Sequence, residues 1–260
     1  MKYYVVDAFA EPPMLGNPAG VCLPDRPLDE VTMQAIAAEN NLAETAFVVP
    51  DGDGYGLRWF TPTVEVDLCG HATLASAFII SQFVEPGCES VRFATKSGPL
   101  AVRRDGDLFE LDFPARPPKT VAVRPEFAAA LGCDVAEAHL SRDMMLVVRD
   151  EATVRGLEPD IPAVAALPDG FGVIVTARGD QADFVSRFFV PKGGVPEDPV
   201  TGSTHTTLIP FWAARLGKPD LVAHQLSRRG GVLYCHDRGD RVGIAGRARL
   251  YLTGEISPAS

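Results

Sequence analysis

Short stretches in which apolar and polar residues alternate, or run apolar for a few positions, recur along the chain between glycine- and proline-rich breaks. They predict strands over residues 3–9, 45–49, 56–60, 91–93, 100–103, 108–113, 144–148, 172–176, 184–190, 231–235 and 241–245, with Asp51-Gly52 and Asp105-Gly106 as hairpin turns. Helical periodicity is confined to 28–40, 70–84, 124–131 and 203–216. The succession is strand-rich and does not alternate strand with helix, so the expected class is α+β rather than a parallel βαβ sheet.

The pattern repeats itself. Arg58-Trp59-Phe60-Thr61-Pro62 is echoed by Arg187-Phe188-Phe189-Val190-Pro191, and each is followed, after a short acidic stretch, by a glycine-led uncharged segment starting at Gly70 or Gly202. Beyond each segment, Ser97-Gly98-Pro99-Leu100 leading to Asp105-Gly106-Asp107 resembles Gly230-Gly231-Val232-Leu233 leading to Arg238-Gly239-Asp240. Three landmarks in one order, offset by about 130 residues, predict two topologically similar halves. The proline-rich stretch 114–118 is the natural joint. It gives halves at 1–118 and 119–260, with the last strand free to return to the first half.

From 69 to 84 and from 199 to 214 there is no Asp, Glu, Lys or Arg. A helix apolar on all sides is a buried one. In a strand-rich half its place is inside a curved sheet, so each half is expected to be a β-barrel-like shell around a central helix. Pro210 should kink the second helix or restart it. The first turns carry Gly70, His71, Ala72 and Thr73 in one helix and Gly202, Ser203, Thr204 and His205 in the other, with no acid. Their N–H groups and positive dipole ends are therefore open to an outside anion. Ordinary capping by Ser, Thr or Gly would account for either helix alone. The matched pair points to a shared anion site, suited to a carboxylate-bearing small molecule if the halves face each other.

Around these helix starts lie the candidates for chemistry. Glu44, in Leu42-Ala43-Glu44-Thr45-Ala46, stands at the entrance to an apolar strand, where a half-buried carboxylate becomes a general base and an exposed one is a turn acid. Asp198 precedes Pro199 at the mouth of the second helix, placed to orient an amine or imidazole or to cap a turn. The helix dipole should bias His71 toward its neutral form. Cys69 is a candidate thiolate at a helix N-terminus, but Thr201 occupies the matching position, so a two-thiol mechanism is out. No P-loop, G-x-G-x-x-G after the first strand, H-E-x-x-H or G-x-S-x-G occurs.

Several blocks together resemble the phenazine-biosynthesis PhzF-like family, relatives of diaminopimelate epimerase. They are Asp7-Ala8-Phe9, Gly16-Asn17-Pro18-Ala19-Gly20-Val21, Leu42-Ala43-Glu44-Thr45-Ala46-Phe47, Arg58-Trp59-Phe60-Thr61-Pro62, Glu65-Val66-Asp67-Leu68-Cys69-Gly70-His71-Ala72-Thr73 and Glu197-Asp198-Pro199-Val200-Thr201-Gly202-Ser203. The resemblance implies the diaminopimelate epimerase-like fold, an active site between the halves, commonly a homodimer, and proton transfer on a carbon acid without metal or organic cofactor. By it the catalytic glutamate is Glu44, supported by His71, Asp198 and Ser203. Asn17, Gly70, Ala72, Thr73, Gly202 and Thr204 are then the expected substrate contacts. The expected activity is a cofactor-independent isomerase acting on a small carboxylate-bearing substrate. The Cys69/Thr201 pair also resembles hydroxyproline dehydratases among the proline-racemase relatives, and a retired scaffold used for ligand sensing or protein interaction is the non-enzymatic alternative.

Composition narrows the setting. With 46% hydrophobic residues and a net charge of -10 spread without long runs, the chain has a core-forming composition and no phosphate-tracking surface, which argues against nucleic-acid partners. Five dispersed cysteines without a C-x-x-C pair suggest neither a disulfide framework nor a zinc knuckle. The N-terminal segment lacks the apolar core of a signal peptide, and no apolar run reads as a membrane span. The expected setting is the cytoplasm, with no membrane partner.

Overall fold

The computed structural model describes residues 1–257. It contains two compact units, one of residues 1–112 with the chain from 245 onward, the other of residues 113–244. In the first unit β1 (Lys2–Ala8) pairs antiparallel with β2 (Asn17–Leu23); after α1 (Glu30–Asn40), β3 (Glu44–Asp51) joins β2 in parallel. β4 (Gly54–Phe60) returns antiparallel to β3 and holds the short β5 (Glu65–Val66) at its end. After α2 (Gly70–Ile79), β6 (Ser90–Thr95) runs parallel to β4, followed by antiparallel β7 (Gly98–Asp105) and β8 (Leu108–Pro114).

The second unit repeats the succession. β9 (Lys119–Val121) is followed by α3 (Pro125–Leu131) and pairs with β10 (Glu137–Leu140), which pairs antiparallel with β11 (Met144–Val147). After α4 (Glu151–Arg155) and α5 (Ile161–Ala166), β12 (Val173–Arg178) joins β11 in parallel, and β13 (Phe184–Val190) returns antiparallel with short β14 (Val195–Asp198) at its end. After α6 (Gly202–Leu216), β15 (Asp220–Gln225) runs parallel to β13 and β16 (Gly231–Asp237) antiparallel to β15. β17 (Arg241–Glu255) pairs with both β1 and β8 and closes the ring β1-β2-β3-β4-β6-β7-β8-β17 into an eight-stranded barrel. The fold is α+β, with two pseudo-symmetric barrel-like halves, each built on one long buried helix.

A helix with side chains is about 10–12 Å across, so one that sits inside a small barrel must be slim. α2 meets this with Ala72, Ala75, Ser76 and Ala77, none of which has measurable exposure, and it packs against β1, β2, β3 and β7. α6 is buried likewise through Thr204, Thr206, Thr207, Leu208 and Ile209. On the outer face of the first unit, α1 starts at an Asp29 cap on Thr32 N–H and packs Met33, Ile36 and Ala37 against Cys22, Phe47 and Phe60. β3 is consequently buried on both faces, which is why residues 45–49 read as a continuous apolar run. The corresponding outer layer of the second unit packs Phe127, Leu131, Val154 and Val164 onto Leu146, Val175 and Phe189.

The helix expected over 70–84 spans that range, α-helical to Ile79 and π-helical over Ile80–Val84, with Glu85 N–H reaching the Ile80 carbonyl. Pro210 does not divide α6, which runs uninterrupted from Gly202 to Leu216. Proline removes the N–H that would bond Thr206 C=O, and the backbone N–H of Arg116 takes that acceptor at 2.8 Å. The repeated arginines also acquire a role. Arg58 forks onto both carboxylate oxygens of Glu65 at 2.6 and 2.7 Å, and Arg187 onto Glu197 at 2.7 and 2.9 Å. Each pair clamps the short strand that feeds the buried helix. Among the described residues, no helix is long and apolar enough to cross a membrane.

Candidate active site

Three element starts converge in the first unit. Asn17 opens β2, Glu44 opens β3, and Cys69 is the N-cap of α2, with His71 in the helix's first turn. Glu44 Oε2 lies 3.1 Å from His71 Nε2, the two side chains being 20% and 7% exposed. That oxygen is buried and off the line of the ring N–H, so it has an ion-pair neighbour but no aligned hydrogen bond. On the other side of the ring, Nδ1 is 3.3 Å from the Asn17 amide nitrogen and 3.5 Å from Cys69 Sγ. The Asn17 amide suits either charge state: its NH₂ donates to Nδ1 of a neutral ring, and turned over its oxygen accepts from Nδ1–H of a charged one.

The electrostatics reverse the expectation for His71. Burial is the largest influence and works against the charged ring, but the Cys69 sulfur and the Glu44 carboxylate outweigh it, and the imidazole titrates well above its ordinary value. Burial, then the Glu44 charge, raise the Cys69 thiol against the opposing pull of His71. Burial thus disfavours the Cys69 thiolate, and the Cys69 sulfur and then the Glu44 carboxylate favour the imidazolium form of His71. A carboxylate at contact distance is stronger than the partial charge of a helix end. Glu44, Cys69 and His71 also bring one oxygen, one sulfur and one nitrogen within 4.8 Å of one another. The geometry does not fit a metal ion, because Cys69 Sγ is nearer to His71 Nδ1, at 3.5 Å, than to the Nε2 that faces Glu44, at 4.0 Å.

At the α2 start no side chain caps the helix and no acid enters its first turn. The hydroxyl of Thr73 is instead turned back onto Cys69 C=O at 2.6 Å, and Ser76 onto Ala72 C=O. α6 is built the same way, with Thr204 bonded to Thr201 C=O and no side-chain cap. Gly70, Ala72, Gly202 and Thr204 thus offer backbone rather than side chains to any ligand at their own helix start, whereas both the N–H and the hydroxyl of Thr73 are spent on Cys69 C=O.

In the second unit Asp198 ends β14 and accepts from Thr201 Oγ1 at 2.5 Å. Ser203, in the first turn of α6, lies 3.5 Å from the guanidinium of Arg142, which stacks over Phe171 at 4.9 Å. The fully buried Gln225, absent from the sequence reading, ties this corner together. Its carbonyl accepts from Thr201 N–H at 2.9 Å, and its NH₂ donates to Asp198 C=O at 2.9 Å and to Thr201 Oγ1 at 3.2 Å. A lone amide at the end of an apolar strand gives no motif, so no sequence signal marks it. Gln225→Ala leaves the buried Thr201 N–H without this acceptor and should cost about 1–3 kcal/mol, read as a lower urea midpoint. A concavity of about 300 Å³ lined by residues 178–183, Leu216 and Val222 contains none of these side chains.

The family model described as "Phenazine biosynthesis-like protein" matches residues 6–254. An uncharacterized isomerase of Pseudomonas aeruginosa is 52% identical over 256 residues, covering 98% of each chain. The crystal structure of a PhzF-family phenazine biosynthesis protein from Enterococcus faecalis superposes with a TM-score of 0.97 at 50% identity over 98% of each chain. A probable proline racemase from Agrobacterium radiobacter shares the fold alone, with a TM-score of 0.61 at 11% identity over 98% of this chain and 92% of that one. Full-length matches of this kind, in sequence and in fold, mean that the chain belongs to the phenazine biosynthesis-like PhzF family.

Proposed function

We propose that the protein is an isomerase that shifts a proton between carbons of a small carboxylate-bearing substrate, with Glu44 as the base that removes and returns it. The observation that carries this reading is the Glu44 carboxylate itself, half-buried, with one oxygen held against the His71 imidazolium yet without an aligned hydrogen bond. The His71 ring at 3.1 Å holds the carboxylate in place. The substrate C–H bond breaks as the O–H bond of Glu44 forms, the electron pair enters the conjugated carboxylate, and the same proton then forms a new C–H bond elsewhere. No net oxidation occurs. The uncapped N–H groups at the start of α2 suit the charge that develops meanwhile. The name "isomerase" carried by the Pseudomonas relative supports the reaction type. Asp198 and Ser203 enter the proposal through the family resemblance, and their variants should lower turnover without changing the His71 titration.

The competing dehydratase reading needs Cys69 as a thiolate, and its burial beside Glu44 disfavours that form. Cys69→Ala should accordingly reduce turnover far less than Glu44→Gln. The direct test is incubation with a panel of small unsaturated and amino carboxylic acids in deuterated water, followed by NMR. The expected result is an isomer whose newly formed C–H is partly deuterated. Saturable binding of an acid with neither isomer nor exchange would favour a sensing role and sink the enzymatic one.

A further inference from the structure

We propose that Arg142 is the side chain that binds the substrate's carboxylate, together with the hydroxyl of Ser203. That the ligand is a substrate rests on the proposed isomerase activity; the carboxylate site rests on geometry alone. The internal repeat singles out the position. In the matching parallel strand pairs, Ala19 of β2 faces Glu44 of β3, and Met144 of β11 faces Val173 of β12. Aligned on this register, Arg142 is the counterpart of Asn17, each standing two residues before the facing position. Gly70-His71 and Gly202-Ser203, at the starts of the buried helices, align in turn. The contacts repeat with the positions: the Asn17 amide lies 3.3 Å from the His71 ring, and the Arg142 guanidinium 3.5 Å from Ser203 Oγ. The chemistry does not repeat. At the place of the Glu44 carboxylate the second half has Val173, which takes no proton, and at the place of the neutral Asn17 amide it has a cation.

Arg142 is arranged to hold a ligand rather than to brace the fold. Arg58 and Arg187 spend their forks on Glu65 and Glu197, whereas among the described residues no carboxylate forms an ion pair with Arg142. Its neighbour Asp143 is buried and accepts instead from Gly172 N–H at 3.0 Å. A guanidinium carries five N–H donors in one plane, and a carboxylate takes two of them side by side. The long Ser203 contact leaves most of these donors for such a ligand, and the side chain is exposed to receive it. The fork is also oriented beforehand. The guanidinium stacks over Phe171 at 4.9 Å, and Phe171 N–H is bonded to Arg142 C=O at 3.1 Å. Met144 N–H on Gly172 C=O at 2.9 Å ties the same corner to β11. A fork held in this way loses little freedom on binding. With a net charge of -10 the chain offers an acid no general attraction, so a local cation has to supply it.

Acetate and benzoate, each matched with its neutral amide, test the site without turnover. Titrated into the nitrogen-15-labelled full chain, both acids should shift the Arg142 side-chain N–H and the Ser203 amide resonances to saturation, while acetamide and benzamide leave them in place. Arg142→Gln should weaken binding of the acids about tenfold or more. Arg142→Lys keeps the charge without the fork and should fall between the two. Acids that leave the Arg142 resonance unmoved, or that bind Arg142→Gln as tightly as the native protein, overturn the site. On an acid that the native protein isomerises, Arg142→Gln should raise KM about tenfold or more, with the smaller part of the loss in kcat. An unchanged KM there would overturn Arg142 as the substrate's anchor while leaving Glu44 as the base. Binding of acids at Arg142 with none of the acid panel isomerised would support the carboxylate site and overturn the isomerase activity.

Discussion

Glu44→Gln should lower turnover by about 10²–10⁴-fold, the usual contribution of a positioned general base, while the protein stays folded. Glutamine matches glutamate in shape but cannot accept a proton from carbon. The side chain is 20% exposed and opens β3 through backbone pairing to Ala19, so folding does not depend on its charge. The substitution has a second signature at its neighbour. Without the carboxylate, burial is less opposed, and the His71 resonance should titrate at lower pH than in the native protein. The sign for stability follows. A histidine whose folded value is raised contributes fully below its unfolded value near 6.5 and loses that contribution as pH rises through the folded one. In Glu44→Gln this part of the alkaline loss should shrink. Full activity in the variant on a confirmed substrate would remove Glu44 from the role of base; an unchanged His71 titration would remove the ion pair as the cause of its charge.

Much of the architecture was legible because it is written twice. The Arg58 and Arg187 blocks predict the two halves, and the structure shows their chemistry as forked clamps on Glu65 and Glu197. The charge-free segments predict α2 and α6 because a helix walled in by strands has no face for a charge. What stayed hidden depends on residues brought from far along the chain. β2 was not predicted, since Asn17-Pro18-Ala19-Gly20 looks like a turn. At Gly20 a Cβ would meet Thr45 Oγ1 at 3.1 Å and Tyr3 at 3.2 Å, a crowding created by the neighbouring strands β3 and β1. The continuity of α6 through Pro210 needs Arg116, and the corner at Asp198 needs Gln225. The charge state of His71 went the same way: the helix dipole was visible in the local sequence, and the stronger Glu44 carboxylate was not.

Acid should destabilise the protein through a second histidine with the opposite sign. His205, one turn into α6, has no measurable exposure; its Nδ1–H donates to Thr201 C=O at 2.8 Å, while Nε2 is buried without a hydrogen-bond partner beside the Phe184 ring. Burial pushes its pKa down to about 4, with only the Thr201 bond acting the other way. An unfolded chain protonates this ring near pH 6.5. Between that value and about 4 the unfolded state therefore binds the extra proton and the native state does not. The contribution of a neutral His205 is thus complete above pH 6.5, falls as pH drops, and levels off below the folded value, a loss on the order of 3 kcal/mol. Carboxylate titrations share this range, so the decisive quantity is a difference between two proteins. His205→Gln loses packing and should be the less stable protein at pH 7.5, but by pH 4 urea denaturation should show the gap narrowed by about 3 kcal/mol. A gap that stays constant over that range would mean that His205 is protonated in the native state as readily as in the unfolded one, and that the apolar wall around Nε2 opens to water.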